Sequence, residues 1–196
     1  MLWQFDDDLK LRKLKLIEYG YNAYCFFVLQ GQELNIAEEL NNNYDCIIAT
    51  PLTKMSHRSR KGYKFDVQEV LLSGYVFCFI PKDRDIFKIK SSKNTIRVLN
   101  WKNDDGKLYG KDLDYANWIL DVEGFLTVSE AIKINGKVKI VNGPLKNLEG
   151  NIVEYSKHNR NCRIEIQLLN QTINAWLPFD YVDADISDLD TRRFNY

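Results

Sequence analysis

The sequence predicts an α+β chain in two parts. The first is an N-terminal α/β sandwich, an antiparallel sheet with flanking helices; the second is a small C-terminal all-β barrel. Three observations predict this. Between Asn22 and Leu120, short apolar runs of strand type alternate with helical patterns. From Lys137 to Val182 the chain turns to short period-2 runs punctuated by polar turns. The length of 196 residues, with 45% hydrophobic content, is enough for one large or two small cores.

Asp6-Asp7-Asp8 is a helix start, and Leu9, Leu11, Leu14, Leu16 and Ile17 with interleaved Lys and Arg make one amphipathic helix. Residues 1–21 read either as a free extension or as a docked accessory helix. Asn22–Val28 is an aromatic-rich buried strand. A polar break at Gln30–Glu33 leads into a helix over Leu34–Asn41, with Leu34, Ala37 and Leu40 on one face. Cys46–Ala49 is a strand stopped by Pro51. Lys54–Lys64 reads as a polar, basic loop, Phe65–Glu69 alternates, and Leu71–Ile80 is the strongest strand signal in the chain. A turn at Pro81 and a second helix over Asp83–Ile89 follow, then a short strand at Ile96–Leu99, a turn at Asn103–Gly106 and a helix over Asp112–Leu120. The stretch 122–133 is the predicted linker, although Phe125, Leu126 and Val128 make it more apolar than a free tether.

The barrel segment spans 134–184. Val138 and Ile140 alternate with lysines, Asn142-Gly143-Pro144 turns the chain, and Gly150 precedes a new strand at Asn151–Tyr155. Two strands with a glycine at each end of their loop read as a hairpin. Ser156–Asn161 is a polar, basic turn, and Cys162–Leu168, Thr172–Leu177 and Pro178–Val182 complete four to five strands at the spacing of an SH3-like barrel. The tail 185–196 is polar.

Lys and Arg together number 27, as do Asp and Glu, so any nucleic-acid function must come from local patches rather than net charge. Cys25, Cys46, Cys78 and Cys162 lie in apolar runs without a C-x-x-C pair and read as buried hydrophobes in a reducing compartment. Neither a signal peptide nor an 18-residue apolar run is present, so a soluble, cytoplasmic protein without a membrane partner is expected; a monomer is expected as well. His57 and His158 have no metal-ligand spacing, and no nucleophile elbow, P-loop or dinucleotide fingerprint occurs, so a non-enzyme without cofactor or metal is expected. Two basic clusters stand out: Lys54, Arg58, Arg60, Lys61 and Lys64; and Lys157, His158, Arg160 and Arg163, with Lys139 and Lys146. Each is either a solvated surface or an electrostatic contact for the phosphates of a nucleic acid.

Gly136-x-Val138-x-Ile140-x-x-Gly143-Pro144-Leu145-x-x-Leu148-Glu149-Gly150-x-Ile152 resembles the KOW motif of NusG-type transcription factors and some ribosomal proteins. Upstream, Tyr24–Val28 followed by Gly31-x-Glu33, Ile48-Ala49-Thr50-Pro51, and Leu72-Ser73-Gly74-Tyr75-Val76-Phe77 resemble the NGN domain of the same family. Leu71, Leu72 and Ser73 stand where the family often has leucine, phenylalanine and proline, so the departure is at Leu72 and Ser73. The NGN-like segment is 22–121. The helix over Asp112–Ile119, the Gly143-Pro144-Leu145 turn and the Tyr155-x-Lys157-His158-x-Arg160 tip are similar to LoaP-type antiterminators.

The resemblance implies transcription elongation and processive antitermination without an active site. It implies contact with the β′ clamp helices and β subunit of RNA polymerase through Tyr24, Phe26, Tyr75 and Phe77, with the loop holding Lys54, Arg58, Arg60, Lys61 and Lys64 reaching polymerase or nucleic acid. It implies a KOW domain that contacts a nascent RNA hairpin through Lys139, Lys146, Lys157, His158, Arg160 and Arg163, or else a ribosomal protein or Rho. The alternative is a KOW-type RNA-binding or ribosome-associated protein that does not act on polymerase. A C-terminal domain that switches to helix, as in RfaH, fits the alternation less well than a stable barrel.

Overall fold

The computed structural model describes residues 4–60, 63–84, 86, 95–99, 105–134, 136–168 and 171–182. Two compact units are present. The first comprises Met1–Leu126 and Gln167–Thr172, the second Thr127–Ile166 and Ile173–Tyr196.

The first unit is mixed α/β. Helix α1 spans Asp7–Tyr19. Its N-cap, Asp6, accepts a hydrogen bond from Leu9 N at 2.9 Å, and Asp7 and Asp8 place negative charge at the positive end of the helix dipole. Strand β1 (Tyr21–Val28) and helix α2 (Glu33–Asn43) follow, then β2 (Ile48–Thr50), β3 (Thr53–Arg60), β4 (Tyr63–Val70), β5 (Tyr75–Pro81), β6 (Thr95–Val98), α3 (Gly110–Asp121) and β7 (Phe125–Leu126). Four strands form an antiparallel sheet in the order β2-β5-β1-β6.

The register of β1 on β5 sets the two faces of that sheet. Tyr24 stands opposite Cys78 and Phe26 opposite Val76, whereas Cys25 stands opposite Phe77 and Phe27 opposite Tyr75. Directly opposed residues share a face. Tyr24, Phe26, Val28, Val76, Cys78 and Ile80 therefore pack under α2 with Ile36, Ala37 and Leu40. The other face carries Ala23, Cys25, Phe77 and Phe79 under α3, where Tyr21 stacks edge-on against Phe79 and its hydroxyl donates to Asn117 Oδ1 at 2.9 Å. Sequence alternation alone grouped Tyr24 and Phe26 with Tyr75, Phe77 and Phe79. The pairing separates them, because the two strands are offset so that even numbers meet even.

Side chains tie the layers together. Asn41 donates to Ala49 O at 2.8 Å and accepts from Ala49 N at 2.7 Å, locking α2 to β2. The Glu33 carboxylate, 2% exposed, accepts from Gly74 N at 2.6 Å and from Ser73 Oγ at 3.4 Å, holding the turn that launches β5. A buried carboxylate accepting a backbone amide is among the stronger hydrogen bonds of a fold.

Helix α1 is docked on the first unit. Phe5, Leu9 and Leu16 are buried, and Arg12 Nη1 donates to the carbonyls of Asn41 at 2.7 Å and Tyr44 at 2.9 Å. Lys13 Nζ donates to Asp121 O at 3.0 Å. Leu11, Leu14 and Ile17 face outward instead.

Of the stretch expected to be a loop, the described residues 54–60 and 63–64 are strand. β3 and β4 are paired antiparallel from Thr53↔Val70 to Arg60↔Tyr63. β7 joins the pair only at its base, parallel, through Thr53↔Phe125 and Lys54↔Leu126. A Cβ on Gly124, at φ +68, would collide with Thr50 Oγ1, and Gly124 O accepts both Thr53 N and Thr53 Oγ1. The predicted linker 122–133 is thus mostly strand: it holds β7 and the start of β8. The predicted helix over Asp83–Ile89 lies outside the described residues except for Asp83, Arg84 and Ile86, and Asn103 and Asp104 of the predicted turn and the tail 185–196 also lie outside them.

The second unit contains β8 (Ser129–Ile134), β9 (Lys137–Asn142), a 3₁₀ helix (Pro144–Asn151), β10 (Ile152–Ser156), β11 (Asn161–Leu168) and β12 (Gln171–Tyr181). Its five strands form one sheet in the order β10-β11-β12-β8-β9. Period-2 burial along β11 and β12 puts Cys162, Ile164, Ile166, Ala175, Leu177 and Phe179 inside, with Leu145 and Leu148 of the 3₁₀ helix and Ile140 of β9. β9 and β10 are not the hairpin read from the sequence. They stand at opposite ends of the strand order, and the 3₁₀ helix carries the chain between them. Gly143, at φ +88, is required there: a Cβ would lie 2.8 Å from Ser129 Cα, and Ser129 Oγ accepts from Leu145 N at 3.0 Å. Gly150, by contrast, has open space around it and no positive φ.

Cys25, Cys78 and Cys162 are buried and Cys46 is half-buried, all four as free thiols. Burial pushes the Cys162 thiol up to about 11. Among the described residues no helix is long and apolar enough to cross a membrane.

Three outcomes follow. Leu16→Ala should destabilise the first unit by about 2–4 kcal/mol in urea unfolding, while Leu14→Ala, on the outward face of the same helix, should change it by less than about 0.5 kcal/mol. A thiol reagent at pH 8 should modify Cys46 rapidly and the other three cysteines only as fast as the protein opens. Because the folded pKa of Cys162 is raised, its contribution to stability is complete below about 8.5, where the unfolded thiol ionises. That contribution should be lost as pH rises toward about 11, and unfolding measured from pH 7 to 10.5 checks the sign.

Candidate functional site

Of the four aromatics expected at a protein interface, three are core. Tyr24, Phe26 and Phe77 are 2%, 1% and 0% exposed, covered by α2 on one face and by the α3 side on the other. Tyr75 is half-exposed, and its neighbour across the pair, Phe27, is half-exposed with it. Their ring centroids are 5.6 Å apart at 60°. Arg97, opposite Phe27 on β6, places its guanidinium carbon 5.6 Å from the Phe27 centroid. Gly74 lets the chain pass close to this pair: a Cβ there would approach the Phe27 ring to 3.2 Å. The result is an aromatic patch capped by a cation at one end of the central sheet. It can hold an apolar partner side chain and pair with an acid beside it. Phe27 and Arg97 were missed from sequence because their place depends on the β1–β5 and β1–β6 registers.

The first basic cluster lies on the β3–β4 ribbon. Beyond Lys54 the ribbon has two strands among the described residues, a reach of about 20 Å at strand rise. Arg58 stands opposite Phe65, Ser59 opposite Lys64 and Arg60 opposite Tyr63, while Lys61 lies outside the described residues. Lys54, at the base, is half-buried opposite Glu69. Tyr63 is 80% exposed and Phe65 44%. Sequence reading registered the cations but not these aromatics. The signal was there: Tyr63, Phe65 and Val67 repeat at period 2 opposite a strand of alternating basic residues.

The second basic cluster is partly neutralised. In the β10–β11 turn, Arg160 Nη1 pairs with Asp180 Oδ1 at 3.0 Å. Arg163 Nε pairs with Glu154 Oε2 at 3.1 Å, and its Nη1 donates to Asn174 Oδ1 at 3.1 Å. Lys157 Nζ donates to Gly136 O at 2.8 Å. His158, Lys146 on the 3₁₀ helix and Lys139 on β9 are exposed. Glu154 faces Arg163 from the neighbouring strand and Asp180 reaches Arg160 from β12, so the cluster looks more positive in the sequence than it is in space. Both ion pairs are solvent-exposed, so each is worth no more than about 1 kcal/mol, and a phosphate can displace the carboxylate. Trp176, 40% exposed on β12, is the exposed ring of this unit most suited to stacking a base.

Among the described residues no group of three His, Cys, Asp or Glu side chains could hold a metal ion. His57 lies on β3 opposite Asp66, and His158 lies in the exposed turn.

No family model matches the chain. No curated protein matches it either. Among solved structures, one described as domain interaction in Thermotoga maritima NusG is similar over 81% of this chain and 94% of that one, at 14% identity and a TM-score of 0.46.

Surface and core aromatics should separate cleanly on truncation. Phe77→Ala should cost about 3–5 kcal/mol of stability, whereas Tyr75→Ala should cost well under half as much, both read by chemical denaturation.

Proposed function

We propose that this protein is a NusG-family transcription elongation factor acting in processive antitermination, of the specialised LoaP-like kind. Its first unit binds RNA polymerase and its second unit contacts leader RNA or another partner. One observation carries the reading. The two sequence signatures occur in family order on separate compact units, and the Gly74-Tyr75 signature falls at the half-exposed aromatic patch, not in the core.

On this reading the polymerase contact is Phe27, Tyr75 and Arg97, not the buried Tyr24, Phe26 and Phe77. The β3–β4 ribbon supplies a second contact, for the β subunit or for nucleic acid. The protein acts without a catalytic step. Bound across the polymerase clamp, it favours the elongating conformation by the difference between its affinities for that state and for the paused state. The exposed lysines of the second unit, with Arg160 and Arg163 exchanging their carboxylates for phosphates, hold an RNA hairpin. A ribosomal protein or Rho is the rival partner for this unit. The site of action is the cytoplasm.

Purified protein should be retained by immobilised bacterial core RNA polymerase, and Phe27→Ala or Tyr75→Ala should reduce retention at least tenfold with the fold intact, about the 1.4 kcal/mol expected of a well-packed interface aromatic. Retention unaffected by either substitution would place the contact elsewhere. No retention at low salt would leave a KOW-type RNA-binding protein outside transcription. For RNA, Lys146→Gln and Lys157→Gln should each reduce the slope of log affinity against log salt by about 0.7–1 if they contact phosphates.

A further inference from the structure

A cavity of about 600 Å³ opens in the first unit between the C-terminal half of α1 and the chain ends around β2 and β5. It belongs to neither the aromatic patch nor the ribbon. Its apolar wall is formed by Leu16, Tyr19 and Pro81. Tyr19, at the rim, is 74% exposed, so its ring face is open to a ligand. Three cations, Lys15, Lys82 and Arg84, border the same space, and none of them makes an ion pair among the described residues.

The Lys82 side chain lies over Gly20, at φ +81, where a Cβ would come within 3.2 Å of its Cε and Nζ. Arg12 also borders the cavity. Its Nη1 is committed to the carbonyls of Asn41 and Tyr44 and its Nη2 to Asp8, but its Nε is buried with no acceptor. A buried donor without an acceptor is costly. Asp45 and Asp83 complete the rim. They disfavour a bare polyanion and suit a ligand that also carries hydroxyl or amino donors.

We propose that this cavity binds a small phosphorylated ligand with a flat apolar body, the chemistry of a mononucleotide. The body lies against Tyr19, Leu16 and Pro81. The phosphates meet Lys15, Lys82 and Arg84, and Asp45 and Asp83 accept from sugar hydroxyls or ring amino groups. The volume is in the range of small-molecule sites, and charge-assisted bonds to phosphate supply the orientation.

The test is calorimetric titration of the full chain with ATP, GTP, tripolyphosphate and adenosine, with thiol labelling of Cys46, which also borders the cavity, as an independent reporter. At least one nucleotide should bind and slow Cys46 labelling, more tightly than tripolyphosphate or adenosine. Arg84→Glu should weaken it about tenfold or more, as loss of one charge-assisted contact implies. Tyr19→Ala should weaken the nucleotide while leaving tripolyphosphate unchanged. Lys111→Glu, on the exposed side of α3, should have no effect. Circular dichroism confirms that each variant is folded. The proposal is overturned if neither nucleotide binds, if tripolyphosphate binds as tightly as the nucleotides, or if Arg84→Glu binds as well as the parent chain.

Discussion

The first unit depends on the register of β1 on β5. That register decides which aromatics are core and which reach the surface. With Phe27 opposite Tyr75 and Tyr24 opposite Cys78, two rings are left half-exposed at one end of the sheet while the rest are covered by helices on both faces. A slip of one residue would exchange the faces of β5 and put Phe77 under α2. Glu33 guards against this. Its buried carboxylate fixes Gly74 at 2.6 Å, and so fixes where β5 begins. The same bond carries α2 to the edge of the aromatic patch, so the element that covers one face also positions the contact surface on the other.

Much of the fold was legible because period and punctuation are local. α2, α3, β1, β5, β6, β11 and β12 fall where apolar spacing put them, and the free, mostly buried cysteines follow from their apolar neighbourhoods. What was not legible depended on pairing. The stretch 54–64 is basic and polar and reads as a loop, yet strand pairing needs only backbone groups, and β3 and β4 pair along its whole described length. β7 and β8 were hidden in an apparent linker whose apolar residues were the clue. β9 and β10 looked like a hairpin because they are close in sequence. The 3₁₀ helix between them, with Leu145 and Leu148 buried, instead carries the chain from one end of the sheet to the other. Helix α1 shows the same limit: five apolar residues suggest one buried stripe, but only Leu9 and Leu16 face inward, and a guanidinium gripping two carbonyls does much of the docking.

The candidate sites divide along the same line. Residue type identified the basic clusters, and space changed their meaning. Asp180 and Glu154 reach Arg160 and Arg163 from other strands, so the second unit presents exchangeable ion pairs beside exposed lysines in place of an uncompensated patch. Such a surface binds phosphate weakly and with strong salt dependence unless the ligand's shape adds contacts. On the first unit, the aromatic pair and its cation form a small patch that the fold leaves half-exposed while burying Tyr24, Phe26, Phe77 and Phe79 on the same two strands. Patches of that kind are where partner side chains gain most from leaving water.

Hydrogen exchange of the full chain, with and without core RNA polymerase, tests the central claim most directly, because it reads both proposed contact elements at once without altering any residue. The account predicts slowed exchange in Phe27–Leu29, in the turn through Gly74 and Tyr75, and along β3 and β4, with little change under α2. Protection confined to the second unit, or no protection at saturating polymerase, would contradict it.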